Sequence, residues 1–287
     1  MASAARLRSE LRAAAVICLR DDEAYLEACL SDLIRNGVQY AILDNGMDAR
    51  AHALLGRPPF CDSLLCLERL PFNGSFELGL QIQAKEALFD RLDVDWLIHL
   101  DVDEMMHADI EGERLIDSLA RVDAAGFNAI DFDEFVFLPV EQPYDPGAAP
   151  QPVCTYYYFR PFEGPRLMRA RKKSAGLTMA PPDSDAAASG HLLYGEDIRL
   201  APERFVLRHY IFRDQAHARR KYLERVFADR ELAVGWHRNR SGFSPEAFTF
   251  PPAAALHRLP DGASRAFDRS EPKAAHYWQW DGAGGPA

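Results

Sequence analysis

Apolar residues near the start of the chain follow two different patterns, a continuous run and a helical repeat. Ala13 to Leu19 is a continuous apolar run, typical of a strand buried on both faces. After the polar stretch 20–23, apolar residues recur on one helical face, at Leu26, Cys29, Leu30, Leu33 and Ile34. Asn36-Gly37 predicts the end of that helix, and 38–43 is a second apolar run. The pattern predicts a strand–helix–strand unit with Asp22 as the helix N-cap.

Strands and helices continue to alternate along the first half of the chain. We predict, in order, helix 49–55, strand 63–67, helix 76–91, strand 96–100 and helix 113–123. Later segments rich in aromatic and β-branched residues predict strands 127–140, 156–162 and 204–212, followed by a charged helix at 214–230. This order predicts an α/β fold with a mostly parallel central sheet, helices on both faces and a mixed extension.

The same pattern gives a domain plan. We expect an N-terminal arm at 1–12, one domain at 13–259 and a C-terminal tail at 260–287. Within the domain, 13–125 and 126–259 form two halves. Residues 174–190 are poor in large apolar side chains and predict a mobile loop, either an inert linker or a lid.

Composition narrows the class of protein. The 287 residues carry a formal net charge of -10, which argues against a surface for nucleic acids. The five cysteines form no CxxC pair, and buried thiols in a reducing cytoplasm are the expected state. No stretch approaches the roughly 20 apolar residues of a transmembrane helix. We therefore expect a cytoplasmic protein without a transmembrane segment.

Three carboxylates follow the apolar run 96–100. In an extended segment Asp101 and Asp103 project to the same side, while Val102 points away. Two adjacent carboxylates at the end of a buried strand are costly unless a cation lies between them. Mn²⁺ or Mg²⁺, which prefer oxygen ligands, are the simplest candidates. The alternative is a solvated or helix-capping acidic triplet, which is common in proteins.

Four segments of the first half together resemble the family 2 glycosyltransferases with the GT-A fold, in the branch with an Asp-x-Asp-Glu motif. They are Val16 to Glu23, Leu43 to Asp48, Gln81 to Lys85 and Trp96 to Met106. The second half matches more loosely, through Gly190-His191 and 207–210. The chain departs from the family at Asp22, where asparagine is usual, and at Met47, where serine or threonine is usual.

The resemblance implies a site for a UDP- or GDP-linked sugar. The residues expected to bind this donor are Arg20, Glu23, Asp44, Gln83, Lys85 and Asp101. Asp101 and Asp103 are expected to bind the metal, with His209 completing its shell; the alternative for His209 is a hydrogen-bonded core residue. His191, next to the loop, is a weaker candidate ligand.

An inverting transferase also needs a base to deprotonate the acceptor hydroxyl. The candidates are Glu196-Asp197, favoured by the resemblance, and Asp133-Glu134, next to the metal strand. Either pair could equally be ordinary solvated acids.

The function we predict is metal-dependent, inverting transfer of a sugar to a glycan, lipid-linked or protein acceptor. Basic and aromatic patches of the second half suggest a possible peripheral contact with a membrane. One alternative is a GT-A-like nucleotidyltransferase, although segment 20–23 is acidic where such enzymes carry a basic phosphate loop. The other is a noncatalytic protein that binds carbohydrate or nucleotide.

Overall fold

The computed structural model describes residues 11–141, 143–145, 148–161, 167–180, 190–235, 237 and 248–280. Most of the expected arm, residues 181–189 of the expected loop and residues 281–287 of the tail lie outside the described residues. Within the described part of the chain, no helix is long and apolar enough to cross a membrane.

The first sheet carries the strands of the amino-terminal half. Its spatial order is β3 (Leu64–Arg69), β2 (Gln39–Asp44), β1 (Ala13–Leu19), β4 (Trp96–His99), β9 (Ala170–Lys172) and β6 (Ala129–Ile130). β1 pairs in parallel with β2 and with β4, and β2 in parallel with β3. β9 runs antiparallel to both of its neighbours. The predicted α/β class with a mostly parallel central sheet is confirmed.

Helices cover both faces of this sheet. They are α1 (Leu26–Arg35), α2 (Ala49–Leu55), α3 (Phe60–Ser63), α4 (Leu78–Phe89) and α5 (Leu115–Ala124). Alternate side chains of β1 enter two separate cores, because successive residues of a strand point to opposite faces. Ile17 lies in the core that contains Leu30 of α1 and Leu119 of α5, whereas Val16 lies in the core that contains Ile82 of α4. The continuous apolar run of β1 therefore reflects burial on both faces.

The second sheet is the mixed extension. Its order is β11 (His257–Arg258), β8 (Tyr156–Arg160), β7 (Phe132–Phe137), β10 (Phe205–His209) and β5 (Glu104–His107). β7 and β10 are parallel, and the other neighbours are antiparallel. The single strand predicted at 127–140 is wrong, because the chain leaves the first sheet after β6 and enters the second at β7. Asp131 marks the bend, where its side chain accepts a bond from the Leu167 amide (2.8 Å).

The charged helix predicted at 214–230 is also interrupted. It consists of α6 (Gln215–Arg219), a π-helical segment (Arg220–Glu224) and α7 (Asp229–Ala233). Between them the chain pairs with Phe76, whose amide donates to the Val226 carbonyl (2.7 Å) and whose carbonyl accepts from the Ala228 amide (3.1 Å). This pairing is incompatible with a continuous helix, and the hydrophobic period alone did not reveal it.

The first turn of α4 is capped from a distant part of the chain. The carboxylate of Glu231 accepts the amides of Leu78 (3.0 Å) and Gly79 (2.7 Å), while the local N-cap residue Glu77 makes no side-chain cap. His237 Nε2 lies 2.9 Å from the same carboxylate. An acidic side chain at a helix N-terminus satisfies free amides and interacts favourably with the helix dipole.

We expect Glu231→Gln to lower the free energy of unfolding by about 1 to 2 kcal/mol, because the charged acceptor of two amides and one imidazole becomes neutral. Chemical denaturation of both proteins measures the difference. Glu203→Gln, at an exposed carboxylate, is the control and should leave stability nearly unchanged. Equal effects of the two substitutions would contradict the capping role.

Candidate active site

A cleft of about 370 Å³ opens at the carboxyl ends of β1 and β4. Its walls come from segment 20–22 after β1, the turn 101–104 after β4, side chains of β7 and β10, and segment 221–226. Open α/β sheets bind ligands beyond the carboxyl ends of their strands, and the volume suits a small-molecule site. The position of the cleft is therefore that of a ligand site.

The acidic motif forms a tight turn between β4 and β5. The Glu104 amide donates to the carbonyl of Asp101 (3.0 Å), so the expectation of an extended segment is wrong. The Glu104 carboxylate in turn accepts bonds from the Asp101 amide (3.0 Å) and from Arg169 (3.0 Å). These bonds fix the turn, and both Asp101 and Asp103 line the cleft.

Asp101 is the solvent-exposed aspartate of the motif, and half of its side chain is accessible. Lys85 Nζ lies 3.5 Å from one of its oxygens, and Arg169 Nη1 lies 3.7 Å from the other. Burial would raise the pKa of Asp101, but Lys85, His99 and Arg169 outweigh it and hold that pKa well below its usual range. Asp101 is therefore ionised and faces the cleft.

A row of polar contacts connects Asp103, His209 and Glu134. His209 Nε2 lies 3.5 Å from Asp103 Oδ2, and its Nδ1 lies 2.7 Å from Glu134 Oε1. The second oxygen of Glu134 accepts from Arg160 (3.0 Å). Burial would lower the pKa of His209, but the two carboxylates outweigh it and hold that pKa well above its usual range. The imidazole is therefore a cation between two carboxylates.

Lys221 lies on the π-helical segment and joins two acidic positions. Its Nζ is 2.6 Å from Asp103 Oδ2 and 3.1 Å from Asp22 Oδ2. His217 also contacts Asp22 (2.9 Å), and Arg225 lies 4.0 Å from it. Asp22 occupies the predicted N-cap position, before the short 3₁₀ helix Glu23–Tyr25, but its side chain accepts no capping bond. Its carboxylate is instead held by residues nearly 200 positions later.

The cleft gathers five of the residues expected to form the site: Arg20, Asp101, Asp103, Glu134 and His209. His191 lines it as well. Lys85 reaches it through Asp101 and also donates to the Leu100 carbonyl (3.1 Å). Arg20 stacks on Phe72, with 3.4 Å between the guanidinium carbon and the ring centroid, and both residues line one wall.

Three residues expected to bind the donor lie elsewhere. Asp44 accepts the amides of Gly46 (2.9 Å) and Met47 (2.7 Å) and closes the turn after β2. Glu23 lines a separate pocket with Asp48 and Arg50, and Gln83 is exposed on α4. None of the three lines the cleft.

Three of the four candidate bases also lie outside the cleft. Asp133 is bound by Arg204 (3.4 Å) and Arg269 (2.9 Å). Glu196 and Asp197 are exposed, and Asp197 forms an ion pair with Arg199. Only Glu134 among the four lines the cleft.

The sequence analysis assigned no role in the site to several charged residues of the cleft, among them Asp22, Arg160, Arg169, Lys221 and Arg225. Asp22 was predicted only as a helix N-cap and as a departure from the family pattern. Lys221 lies on the predicted charged helix, where a solvated lysine is the ordinary expectation. Only the three-dimensional contacts distinguish them from surface charges.

The donor set does not fit a divalent metal. Among the described residues, no group of three or more His, Cys, Asp or Glu side chains is arranged to hold an ion. Asp103 already has the Lys221 ammonium at 2.6 Å, and Asp101 has Lys85 and Arg169 within 4 Å. Both ring nitrogens of His209 already face carboxylates of the protein, Nδ1 at 2.7 Å from Glu134 and Nε2 at 3.5 Å from Asp103. The metal ligands expected from the sequence are therefore engaged with other charged groups of the protein.

Comparison with known proteins gave structural similarities alone. No protein-family model matches the chain, and no curated protein matches it. Staphylococcus aureus TarS is similar at 10% identity and a TM-score of 0.44, over 70% of this chain and 37% of that one. A fragment of TarS in complex with UDP matches at 13% identity and a TM-score of 0.34, over 43% of this chain and 36% of that one.

A third similar structure is the mannosyltransferase PcManGT from Pyrobaculum calidifontis, in complex with GDP-Man and Mn²⁺. Its identity is 11% and its TM-score 0.32, over 44% of this chain and 36% of that one. The chain thus spans little more than a third of the length of each of these three structures.

Proposed function

We propose that the protein is a glycosyltransferase that takes a sugar from a nucleotide-diphosphate donor, UDP- or GDP-linked, and transfers it to a glycan, lipid-linked or protein acceptor. One observation carries the proposal: the Asp-x-Asp-Glu turn meets several lysine and arginine side chains in one cleft at the carboxyl edge of a parallel sheet. A diphosphate needs positive charge around it, and the ribose hydroxyls need acceptors such as the exposed Asp101 carboxylate.

The cleft has the charges that the chemistry requires. When the sugar leaves the diphosphate, negative charge grows on the departing oxygen, and fixed positive groups near that oxygen lower the barrier. Arg20, Arg169, Lys221 and Arg225 line the cleft and provide such groups. They are held in place before any substrate arrives, so little reorganisation is needed during the reaction.

The inverting outcome is part of the proposal, with Glu134 as the base. Glu134 lines the cleft, whereas Asp197, which the family resemblance favoured, does not. Burial would raise the pKa of Glu134, but His209 and Arg160 lower it below its usual range, so the carboxylate is ionised and weakly basic. It becomes a stronger base when the bound acceptor displaces one of these two partners. The sequence predicts Mn²⁺ or Mg²⁺ at Asp101, Asp103 and His209, but that donor set does not fit a divalent ion, and the proposed transfer uses side chains of the protein.

Calorimetric titration with UDP and GDP, each with EDTA and with Mn²⁺, tests the proposal. We expect one of the two nucleotides to bind, and Asp101→Asn to weaken its binding by about tenfold, because a charge-assisted contact is lost. Asp117→Asn, at a carboxylate paired with Arg114 on the surface of α5, should change nothing. A hydrolysis screen of sugar donors with the favoured base then identifies the sugar.

A folded wild-type protein that binds neither nucleotide under any of these conditions would overturn the proposed function. Transfer of a nucleotide to a sugar phosphate, with release of pyrophosphate, would instead identify a nucleotidyltransferase.

A further inference from the structure

The position of Lys221 is unusual for a lysine, since its side chain is only 9% exposed and its ammonium group lies between two carboxylates. The distances are 2.6 Å to Asp103 Oδ2 and 3.1 Å to Asp22 Oδ2. The imidazole of His209 lies 3.5 Å from the same Asp103 oxygen. A buried position bounded by two aspartates is chemically suited to a cation, and the protein fills it with its own.

The backbone supports the same interpretation. Lys221 belongs to a π-helical turn inserted directly after α6, and π-helical turns occur frequently at functional sites. Asp214 caps the start of α6 through the amide of His217 (2.6 Å), and His217 in turn contacts Asp22. The helical segment is therefore anchored at the cleft on the amino-terminal side of the lysine.

The charges of the cleft are nearly balanced without a metal. The acidic residues Asp22, Asp101, Asp103, Glu104 and Glu134 each have at least one lysine or arginine nitrogen within 4 Å. A divalent cation is normally bound by carboxylates that have no other cation to neutralise them. A diphosphate entering this cleft would compete with these carboxylates for the same lysine and arginine nitrogens.

We propose that Lys221 is the cation that binds the donor diphosphate, so that the protein uses its own ammonium group where a divalent metal was expected. The inference rests on the proposed function. The ammonium has three N–H groups. One donates to Asp103 Oδ2 (2.6 Å), and Asp22 Oδ2 lies 3.1 Å from the nitrogen as an ion-pair partner. Among the described residues, a further N–H makes a long contact of 3.4 Å to the Ile211 carbonyl. A phosphate oxygen in the cleft would be a better acceptor for it.

In the transfer step, the bond between the anomeric carbon and the diphosphate oxygen breaks, and its electron pair stays on that oxygen. The acceptor oxygen forms the new bond to the anomeric carbon and gives its proton to the base. Lys221 donates hydrogen bonds to the departing diphosphate and is unchanged at the end. Asp22 and Asp103, at 3.1 and 2.6 Å from its nitrogen, hold the lysine in position.

Calorimetric titration of UDP and GDP in the presence of EDTA tests this inference with a readout independent of turnover. We expect the wild type to bind its preferred nucleotide without metal, and Lys221→Met to bind it about 10- to 100-fold more weakly. Lys221→Arg, which keeps the charge, should fall between the two. Lys172→Met is the matched control, since it removes a lysine that is 2.6 Å from Asp123 and outside the cleft.

Two results would overturn the inference while leaving the proposed function intact: wild-type binding that requires Mn²⁺, or Lys221→Met binding in EDTA as tightly as the wild type. The titration with and without Mn²⁺ uses only the wild-type protein. It therefore tests the role of the lysine in place of a metal even if Lys221→Met fails to fold. Absence of nucleotide binding by the wild type, with and without Mn²⁺, would instead overturn the proposed function and the inference with it.

Discussion

Gly262→Ala is expected to destabilise the protein by about 3 kcal/mol, at the upper end of the cost of overpacking. A Cβ at this position would lie 2.0 Å from the Gln151 carbonyl oxygen, 2.3 Å from the carbonyl carbon and 2.9 Å from the Pro152 nitrogen. All three are backbone atoms, so no side chain can rotate away. The Gly262 carbonyl also accepts a bond from the buried Arg208 (2.7 Å), which limits how far this loop can shift.

Thermal and chemical unfolding of the variant measure this effect, and Gly56→Ala is the matched control. At Gly56 the nearest atoms to a new Cβ are 3.7 Å away, an ordinary contact distance. Stability should change there by no more than about 0.5 kcal/mol. Similar losses in both variants would show that the close approach of Gly262 to Gln151 is not what limits this position.

Arg169→Met is expected to cost about 3 to 5 kcal/mol, the usual effect of removing one partner from a buried ion pair. The side chains of Arg169 and Glu104 are 4% and 2% exposed, and their closest nitrogen–oxygen distance is 3.0 Å. Without the guanidinium, the Asp101 amide is the one donor to the Glu104 carboxylate that remains among the described residues. The double variant Arg169→Met, Glu104→Gln removes the unpaired charge and should recover part of the loss.

The pH dependence of this variant has a definite sign. Burial raises the pKa of Glu104 to about 7 in the wild type, and Arg169 opposes that rise. Removing Arg169 should raise the pKa further. The pKa of Glu104 is higher in the folded protein than the value of 4.5 in the unfolded chain. The free energy of unfolding therefore falls as the pH rises from the unfolded pKa to the folded one. The stability gap between wild type and Arg169→Met should therefore widen above pH 7, and a gap independent of pH would contradict this account.

Local patterns in the sequence were sufficient for the elements of the first half. The strand predicted at Ala13–Leu19 and the helix predicted at 49–55 have the bounds observed in the structure. Asp101 and Asp103 were expected at the carboxyl edge of the sheet, and both line the cleft there. Each of these predictions depends on residues close to one another in the chain, where hydrophobic period and turn chemistry are informative.

The features that sequence analysis missed depend on contacts between distant residues. Glu231 caps a helix whose capped amide is 152 positions earlier, and Lys221 meets Asp103 across 118 positions. The helix predicted at 214–230 is interrupted because 226–228 pairs with Phe76. The pattern of apolar residues within a short stretch of sequence carries no information on such pairs. The types of the charged residues in the cleft could therefore be predicted, but their partners could not.

Strands of the two sheets alternate along the chain, so some strands leave the ribosome long before their partner strands. β4 is complete once residue 99 has left the ribosome, but β9, which covers its outer edge, ends at residue 172. β5 likewise lacks its partner strand until β10, at 205–209, has been synthesised. An uncovered strand edge can pair with another chain. The nascent protein therefore carries an open edge at its centre through more than seventy residues of elongation, a period in which a chaperone would have most to protect.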